Sequence, residues 1–365
     1  MLHAYSDKTT PHILSPESLD YYLAKGWYRM GSSVFTTSFL FFNGTPYSAI
    51  WLRLDLKSFS FSKSQRKLLR RNKTHFAPAA APAKIDPERE ALYKRYADNF
   101  NGRLSPTVAD SLENYNDNSV FNTLETTVRE KNSGQLVAIS YFDLGSDSAA
   151  SILGFYDPDM SAFSLGYYTM LLEIEYCLQH DIRYYYPGYV APGYGRFAYK
   201  LRLGACDYFD LTTQSWLPYS DEAIAENGQV ELQRRYLDQL REGLAAHGYT
   251  INRATYPLYE AGLYDLWNDD YLPYPYFCGI GVNPDKDLFV VVFDPRERLY
   301  LLVLCEHMME AQMMFQAQYL HELRKQQCFT QLLSVKKVYY KTADPAAIIT
   351  TCARLLGAST SENNA

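Results

Sequence analysis

Closely spaced cysteines are missing from this sequence of 365 residues. The first 176 residues contain no cysteine, and no two of the six present form a Cys-x-x-Cys pair: Cys177, Cys206, Cys278, Cys305, Cys328 and Cys352. Because zinc and iron–sulfur sites usually take several ligands from one short segment, we expect neither a metal site nor a metal cofactor. Scattered cysteines of this kind are typical of reduced thiols in a cytoplasmic protein.

Long hydrophobic runs are also missing. No segment reaches the ~18 apolar residues that a membrane-spanning helix needs, and residues 1–15 lack the pattern of a secretory signal. We therefore expect a cytoplasmic protein without a membrane partner. The formal net charge of -6 excludes a globally basic nucleic-acid binder but allows a local basic patch.

Standard catalytic motifs form the third absence. The sequence has no G-x-S-x-G, no P-loop and no H-E-x-x-H, which argues against the enzyme classes built on them. Tyrosine is abundant instead, with 33 copies. Tyrosine suits half-wet grooves and stacking on bases, although filling strands is its commoner use.

The pattern of secondary structure divides the chain into segments 1–75, 76–215 and 216–365. The first predicts a helix that begins at Ser15-Pro16, a hairpin at Asn43-Gly44, a strand and a basic helix. The last predicts an α+β accessory unit, with helices near 222–247 and 306–326 and a hairpin between them.

The middle segment carries the clearest pattern. A Pro/Ala-rich stretch over 76–84 predicts a loop. Three antiparallel strands follow, then a helix over 164–180 and a strand that ends at Pro187-Gly188. The predicted fold class is therefore α+β, with a core that resembles the GNAT-like acyltransferases.

A basic helix is the strongest local signal, because residues 63–73 carry six cations and no anion. On a helix, five of these cations fall on neighbouring rows and repel one another, which favours a polyanionic partner. Phosphate contacts with a tRNA acceptor stem fit this pattern. The alternative is a solvated helix face, but such faces usually alternate in sign.

A second signal joins a strand to a helix through Asp157-Pro158-Asp159, with Ser164 as the predicted N-cap. Free N–H groups at a helix start favour a phosphate or the 3′ end of a nucleotide. GNAT acetyltransferases carry a Q/R-x-x-G-x-G/A loop at this junction, and its absence counts against acetyl-CoA. A purely structural capped helix fits equally well.

A third signal is the aromatic run at 184–189, interrupted by Pro187-Gly188 and followed by Tyr199-Lys200. The interruption predicts a cleft, and tyrosine hydroxyls with a lysine suit an acidic peptide end. A half-buried aromatic sheet edge is the alternative.

Taken in chain order, five short segments resemble the arginyl-tRNA–protein transferase family, including its bacterial leucyl-transferring branch. They cover residues 16–210 with gaps. The first is Gly26-Trp27-Tyr28-Arg29, similar to the family's Gly-Trp-Arg-Arg, and the second is the basic helix from Ser62. The third is Leu92-Tyr93-Lys94-Arg95-Tyr96. The others are Asp157-Pro158-Asp159 with Ser164-Leu165-Gly166-x-Tyr168, and Tyr186-Pro187-Gly188-Tyr189 with Tyr199-Lys200.

Two departures from the family stand beside these matches. Residues 32–60, where the family usually has a cysteine-rich metal or iron–sulfur segment, contain no cysteine. The family's Cys-Pro-Lys-Met is also lost, and Gly193–Phe197 occupies its region. We therefore expect the family cofactor to be missing.

The resemblance implies that the α-amine of a protein with N-terminal Asp or Glu attacks the aminoacyl ester of a charged tRNA, which carries Arg or Leu. It implies tRNA contacts for Lys63, Gln65, Arg66, Lys67, Arg70 and Arg71. It implies catalytic roles for Tyr186, Tyr199 and Lys200. It implies substrate binding by Trp27, Arg29, Asp157, Ser164, Gly166, Tyr168 and Gly188. Two other functions stay open, namely a non-catalytic tRNA- or peptide-binding descendant and a GNAT acyltransferase that uses acyl-CoA.

Overall fold

The structure is a computed structural model that describes residues 2–100, 102, 104–112, 120–264, 271–308 and 316–362. Its helices are α1 (Pro16–Ala24), α2 (Lys63–His75), α3 (Pro87–Asp98), α4 (Val108–Leu112), α5 (Leu165–Gln179), α6 (Asp221–Asn227), α7 (Gln229–Ala246), α8 (Ala317–Lys325) and α9 (Pro345–Glu362). Single 3₁₀ segments cover Leu56–Ser58, Pro158–Phe163, Gly195–Arg202 and Pro257–Tyr264.

The strands complete a mixed α+β architecture, as predicted. They are β1 (Ser6–Thr9), β2 (Tyr28–Met30), β3 (Ser33–Thr37), β4 (Phe39–Phe42), β5 (Thr45–Ser48), β6 (Ile50–Asp55), β7 (Phe76–Pro82), β8 (Thr123–Glu130), β9 (Leu136–Leu144), β10 (Ser148–Tyr156), β11 (Tyr184–Val190), β12 (Asp207–Asp210), β13 (Ser215–Pro218), β14 (Arg253–Thr255), β15 (Tyr276–Val282), β16 (Leu288–Asp294), β17 (Leu299–His307) and β18 (Leu333–Thr342).

A central sheet of eight strands holds the core, in the order β13-β12-β6-β11-β10-β9-β8-β7. Strands β8, β9 and β10 are antiparallel neighbours, while β11 runs parallel to β10. Helix α5 connects β10 to β11 and packs on β8, β9 and β10. The predicted order of three antiparallel strands, a helix and a further strand is confirmed.

Strand β6 does not belong to a separate N-terminal unit that ends at residue 75. It lies inside the central sheet, between β11 and β12, with Leu54 opposite Tyr185 and Leu52 opposite Tyr208. The apolar side chains of β6 are buried because the sheet is covered on both faces. Residues 50–55 therefore belong to the same sheet as the middle segment.

The Pro/Ala-rich stretch is strand β7, which corrects the prediction of a loop. β7 pairs with β8 over its full length, with Phe76 opposite Glu130 and Pro82 opposite Leu124. Proline has no backbone N–H to donate, so it is poorly tolerated in a strand with neighbours on both sides. β7 is the edge strand of the sheet and pairs on one side only. The sequence did not predict this strand because a run of prolines and alanines shows no alternation of apolar and polar residues.

Strand β11 also differs from its prediction, since it continues through Pro187 and Gly188 to Val190. Its pairing with β10 covers only residues 184–186 opposite 148–150, whereas its pairing with β6 extends to Val190. Strand β10 has a bulge between Ser151 and Leu153 at the same level. The two strands thus diverge, and a cleft opens between them.

The C-terminal segment forms a five-stranded antiparallel sheet, β14-β15-β16-β17-β18, with α7 and α9 packed against it. The predicted hairpin is confirmed as β16–β17. The predicted helix over 222–247 is interrupted at Gly228, where the backbone is extended. Of the predicted helix over 306–326, Glu306 and His307 lie in strand β17, residues 309–315 lie outside the described residues, and α8 covers residues 317–325.

This C-terminal sheet is joined to the N-terminal residues by buried polar contacts. The Tyr5 hydroxyl donates to Asp294 at 2.6 Å, and the Tyr274 hydroxyl donates to the same carboxylate at 2.8 Å. Phe39 packs edge-on against Tyr259, with ring centroids 5.6 Å apart. The two parts of the chain therefore share one hydrophobic core.

Hairpin β4–β5 turns at Asn43 and Gly44, both with positive φ, as its sequence predicts. It presents Phe42 and Tyr47 to Tyr194 and Phe197, and the Phe42 and Tyr194 rings stack at 4.6 Å. Aromatic packing thus fixes this hairpin, which lies within residues 32–60, the segment that contains no cysteine. Among the described helices, none combines the length and the hydropathy required to cross a bilayer.

Candidate active site

A cavity of about 530 Å³ lies in the cleft where β10 and β11 diverge. Its walls come from β9, β10, the first turns of α5 and the 3₁₀ segment Gly195–Arg202. Of the residues predicted to form a site, Ser164, Gly166, Tyr199 and Lys200 line this cavity. The structure brings these two distant sequence segments together, because β11 links the end of α5 to the 3₁₀ segment.

The N-terminus of α5 forms one side of the cavity mouth. Ser164 precedes the helix, but its backbone is left-handed (φ 52°) and its side chain does not cap the helix, which corrects that prediction. Gly166 lies in the first turn, where a Cβ would come within 3.2 Å of the Tyr156 ring. The first-turn N–H groups thus receive no side-chain cap and remain available to a ligand in the cavity.

Lys200 reaches into the cavity without a carboxylate partner among the described residues. Its Nζ donates to the Tyr189 carbonyl at 3.0 Å and lies 5.3 Å from the centre of the Phe197 ring. Burial lowers the pKa of this amine to about 8. Gly188, at φ 87°, makes room for the amine, because a Cβ there would lie 3.0 Å from Nζ.

The two tyrosines predicted to be catalytic lie on different sides of the sheet. Tyr199 lines the cavity, and burial raises its pKa to about 12, so its hydroxyl stays protonated and can donate. Tyr186 lies on the opposite face of β11, buried against Tyr28 and Trp216. Because side chains alternate across a strand, the structure places Tyr186, predicted to be catalytic, away from the cavity.

Arg29, predicted to bind substrate, is buried away from the cavity. Its guanidinium is buried, bonded to Asp143 at 2.9 Å and to Thr123 at 2.8 Å, and it lies 4.2 Å from the centre of the Phe121 ring. Burial raises the pKa of Asp143 and the positive charge of Arg29 opposes that change. Arg29 thus neutralises a buried acid and joins β2 to β9.

Three further predicted substrate contacts lie away from the cavity wall. Trp27 packs half-buried against Tyr22, with centroids 5.8 Å apart. Asp157 caps the 3₁₀ segment at Asp159 and accepts a hydrogen bond from Arg95 at 2.7 Å. Tyr168 is buried in the core under α5. All three support the fold around the site rather than line the cavity.

Gln65 is buried on the inner face of α2, which corrects its prediction as a tRNA contact. Its amide donates to the Tyr167 hydroxyl at 2.9 Å and to the Leu203 carbonyl at 2.9 Å. Asn72, two turns later, donates to the Phe163 carbonyl at 2.9 Å. Helix α2 is therefore fixed directly against the segments that form the cavity mouth.

The outer face of α2 carries the predicted basic surface. Its exposed cations are Lys63, Arg66, Lys67, Arg70 and Arg71. Within the described part of the chain, Lys63, Lys67 and Arg70 have neither an ion pair nor a side-chain hydrogen bond. Arg71 lies against Phe163, 5.7 Å from its centroid, and donates to the Ala162 carbonyl at 3.3 Å. The basic surface thus continues up to the rim of the cavity.

Several residues in or beside the cavity wall were missed in the sequence. Glu173 of α5 does not itself line the cavity but is fully buried beside two residues that do, and it accepts a hydrogen bond from the Tyr185 hydroxyl at 2.6 Å. Ser140 and Ser151 line the cavity beside it. A signal for Glu173 existed, because a single acid interrupts the apolar run from Met170 to Ile174. The serines gave no signal, because their meeting depends on the register of β9 against β10.

Comparison with known proteins places residues 88–210 in the family described as arginine-tRNA-protein transferase, C terminus. An aspartate/glutamate leucyltransferase of Vibrio cholerae is 30% identical over 215 residues, covering 56% of this chain and 85% of the relative. One of Leptospira interrogans is 28% identical over 199 residues, covering 52% and 73% respectively. Among solved structures, FemX aligns with a TM-score of 0.33 at 11% identity over 54% of this chain and 68% of that one. A tandem GNAT protein from the clavulanic acid biosynthesis pathway aligns with a TM-score of 0.32 at 13% identity, over 59% and 60%.

Replacing Arg29 tests its structural role. We expect Arg29→Met to lower the free energy of unfolding by about 3–5 kcal/mol, because Asp143 would stay buried without its charge partner. Urea denaturation measures this loss. Arg129→Met is the control, since it removes a surface pair with Glu88 that contributes less than about 1 kcal/mol. Equal small losses in both variants would contradict the role of Arg29.

The environment of Lys200 predicts unusual amine reactivity. Because burial lowers the pKa to about 8, acetylation of Lys200 in the native protein should reach half its maximal rate near that pH. Pulse labelling with acetic anhydride, read by mass spectrometry, gives the profile. The same lysine in urea-unfolded protein is the control and should titrate near the ordinary value of ~10.4. Coinciding native and unfolded profiles would disprove the desolvation of this amine.

Proposed function

This chain belongs to the arginine-tRNA-protein transferase family, and we propose that it transfers an amino acid from a charged tRNA to the N-terminal amine of an acceptor protein. The relatives are named aspartate/glutamate leucyltransferases. We extend that name to propose acceptors with an N-terminal Asp or Glu, and Arg or Leu as the transferred amino acid. We also propose the cytoplasm, where charged tRNA is made, as its location.

One observation carries the proposal: the basic helix is bonded to the mouth of the cavity that holds Lys200. The chain of contacts runs from Gln65 to the Tyr167 hydroxyl at 2.9 Å, and Tyr167 lines the cavity. A tRNA acceptor stem laid along the outer face of α2 would place its 3′ end at this mouth. Phosphate contacts with the exposed cations would supply the affinity.

The first turn of α5 suits the terminal nucleotide. Its uncapped N–H groups and the positive end of the helix dipole favour phosphate or ribose oxygens. Tyr156 and Tyr167 line the same part of the cavity and offer ring faces to the terminal adenine. The aminoacyl ester would then extend inward along the cleft between β10 and β11.

The chemistry is aminolysis of an ester. The acceptor amine, once it has lost its proton, attacks the ester carbonyl carbon, and a C–N bond replaces the C–O bond to the tRNA 3′ oxygen. Lys200 is suited to accept the proton, because at a pKa of about 8 a useful fraction is neutral near pH 7. Tyr199 stays protonated and can donate to the developing oxyanion or the leaving oxygen.

The acidic residue of the acceptor would meet cations around the same mouth. Arg196 and Arg202 line the cavity together with Lys200. Arg202 lies over the Tyr167 ring at 4.9 Å, and Arg196 over the Phe100 ring at 4.4 Å. Such stacking holds a guanidinium in place at low entropic cost. These arginines take the role that the sequence resemblance had given to Arg29.

We propose that the transfer proceeds without a metal cofactor. The ester is already activated, and residues 32–60 offer aromatic packing where cysteine ligands would be required. The six cysteines are buried free thiols. That the reaction needs no metal stays a prediction.

The principal experiment measures transfer of radiolabelled amino acids from total charged tRNA to peptides that begin with Asp, Glu, Arg or Ala. We expect label on the Asp and Glu peptides alone. Lys200→Ala should lower the rate by about 100-fold or more, because a positioned acid–base group is lost. Binding of tRNA to Lys200→Ala is the control and should be unchanged. If no peptide is labelled while tRNA still binds, the protein is a binding descendant, and full activity of Lys200→Ala removes its catalytic role.

The basic helix predicts a specific salt dependence. Lys67→Ala/Arg70→Ala should weaken tRNA binding and reduce the slope of log Kd against log salt by about 2, one for each phosphate contact. Filter binding between 50 and 200 mM salt measures the slope. Lys337→Ala/Lys341→Ala, on the exposed strand β18, removes the same charge elsewhere and should leave the slope unchanged. Equal slopes in all three proteins would exclude α2 from the tRNA-binding surface.

A further inference from the structure

The inner end of the cavity is closed by a polar group that the transfer chemistry above does not use. Pairing of β10 with β11 stops at Ala150 and Tyr186, so the cleft has its vertex there. Glu173 of α5 is buried directly behind this end of the cavity, next to the lining residues Ser140 and Ser151, and the Tyr185 hydroxyl donates to its Oε2 at 2.6 Å.

The hydrogen bonds of this polar group are incomplete. Glu173 Oε1 and Ser140 Oγ are buried, and neither makes a hydrogen bond of good geometry among the described residues, although the Ser140 and Ser151 hydroxyls lie beside the carboxyl group. No described cation forms an ion pair with Glu173. A buried carboxyl oxygen that lacks both water and a donor costs free energy, unless another molecule completes the arrangement.

The charge state of Glu173 depends on what occupies the vertex. Burial raises the pKa of this carboxyl to about 7, while the hydroxyls of Ser140, Tyr185 and Ser151 oppose the rise. The neighbouring titratable groups, Tyr199 and Cys177, both have raised pKa values and are uncharged near pH 7. A cationic ligand would therefore not have to displace a cation already paired with Glu173, since Lys200, Arg196 and Arg202 line the cavity without forming an ion pair with this carboxyl group.

We propose that Glu173 is the specificity-determining residue for the transferred amino acid, and that it selects arginine over leucine by pairing with the guanidinium. The proposal rests on the transferase function above and names its donor. An ester held at the first turn of α5 directs the amino acid side chain inward, toward the vertex. A guanidinium has several N–H donors, so it can bond Glu173 Oε1 and Ser140 Oγ together. Leucine would leave both oxygens unsatisfied.

The test compares donors and uses an isosteric variant. Glu173→Gln keeps the shape of the side chain and an acceptor for the Tyr185 hydroxyl, but removes the charge. Wild type and variant are assayed with purified arginyl-tRNA and leucyl-tRNA, and kcat/KM is measured for each. Binding of arginine amide and of leucine amide is measured by calorimetry in parallel, and thermal unfolding reports whether the variant folds.

We expect wild type to prefer arginyl-tRNA, and Glu173→Gln to lower kcat/KM for this donor by 10- to 100-fold without lowering it for leucyl-tRNA. Arginine amide should bind wild type and lose affinity in the variant by a similar factor. A wild-type preference for leucine, or equal losses for both donors, would overturn the assignment and leave the transferase function standing. If neither donor reacts, the proposed function fails, and the amide affinities still decide the role of Glu173.

Discussion

The separation of β11 from β10 is the constraint on which the site depends. Pro187 has no N–H to donate, and the bulge at Ser151–Leu153 moves β10 out of register at the same level. Strand β11 keeps its pairing with β6 and leaves β10. The opening therefore arises within a continuous sheet, because β11 stays paired with β6 on its other side, with a register shift between Tyr185 and Gly188.

The way the chain enters and leaves this opening explains how groups from distant parts of the sequence reach one cavity. Helix α5 begins beside the opening because it must cross from β10 to β11, and its uncapped first turn faces the cavity mouth. The 3₁₀ segment after β11 folds back and brings Lys200 to the Tyr189 carbonyl. Gln65 and Asn72 then fasten α2 to both segments. Buried side chains thus connect the basic helix α2 to the segments that form the cavity.

The sequence predicted those parts of the fold and site that local chemistry determines. The helix cap at Ser15, the hairpin turn at Asn43-Gly44 and the charge of α2 depend on a few adjacent residues, and these predictions are confirmed. Prediction from the sequence failed where the result depended on which face of a strand or helix a side chain occupies. Arg29, Gln65 and Tyr186 belong to matching motifs, yet each points into the protein, because strand register and helix phase are set by distant partners. Strand β7 was missed for the same reason, since only its place at the sheet edge makes its prolines acceptable.

The position of β6 has a consequence for how the chain is made. Residues 50–55 leave the ribosome early, but their two neighbours in the sheet, β11 and β12, are synthesised more than a hundred residues later. Until then β6 exposes two unpaired edges of an apolar strand, which is the state in which chains associate wrongly. The central sheet therefore closes late and through contacts of long sequence separation, which makes its folding slow. A fragment that begins after residue 75 would lack the strand that joins both halves of its own sheet.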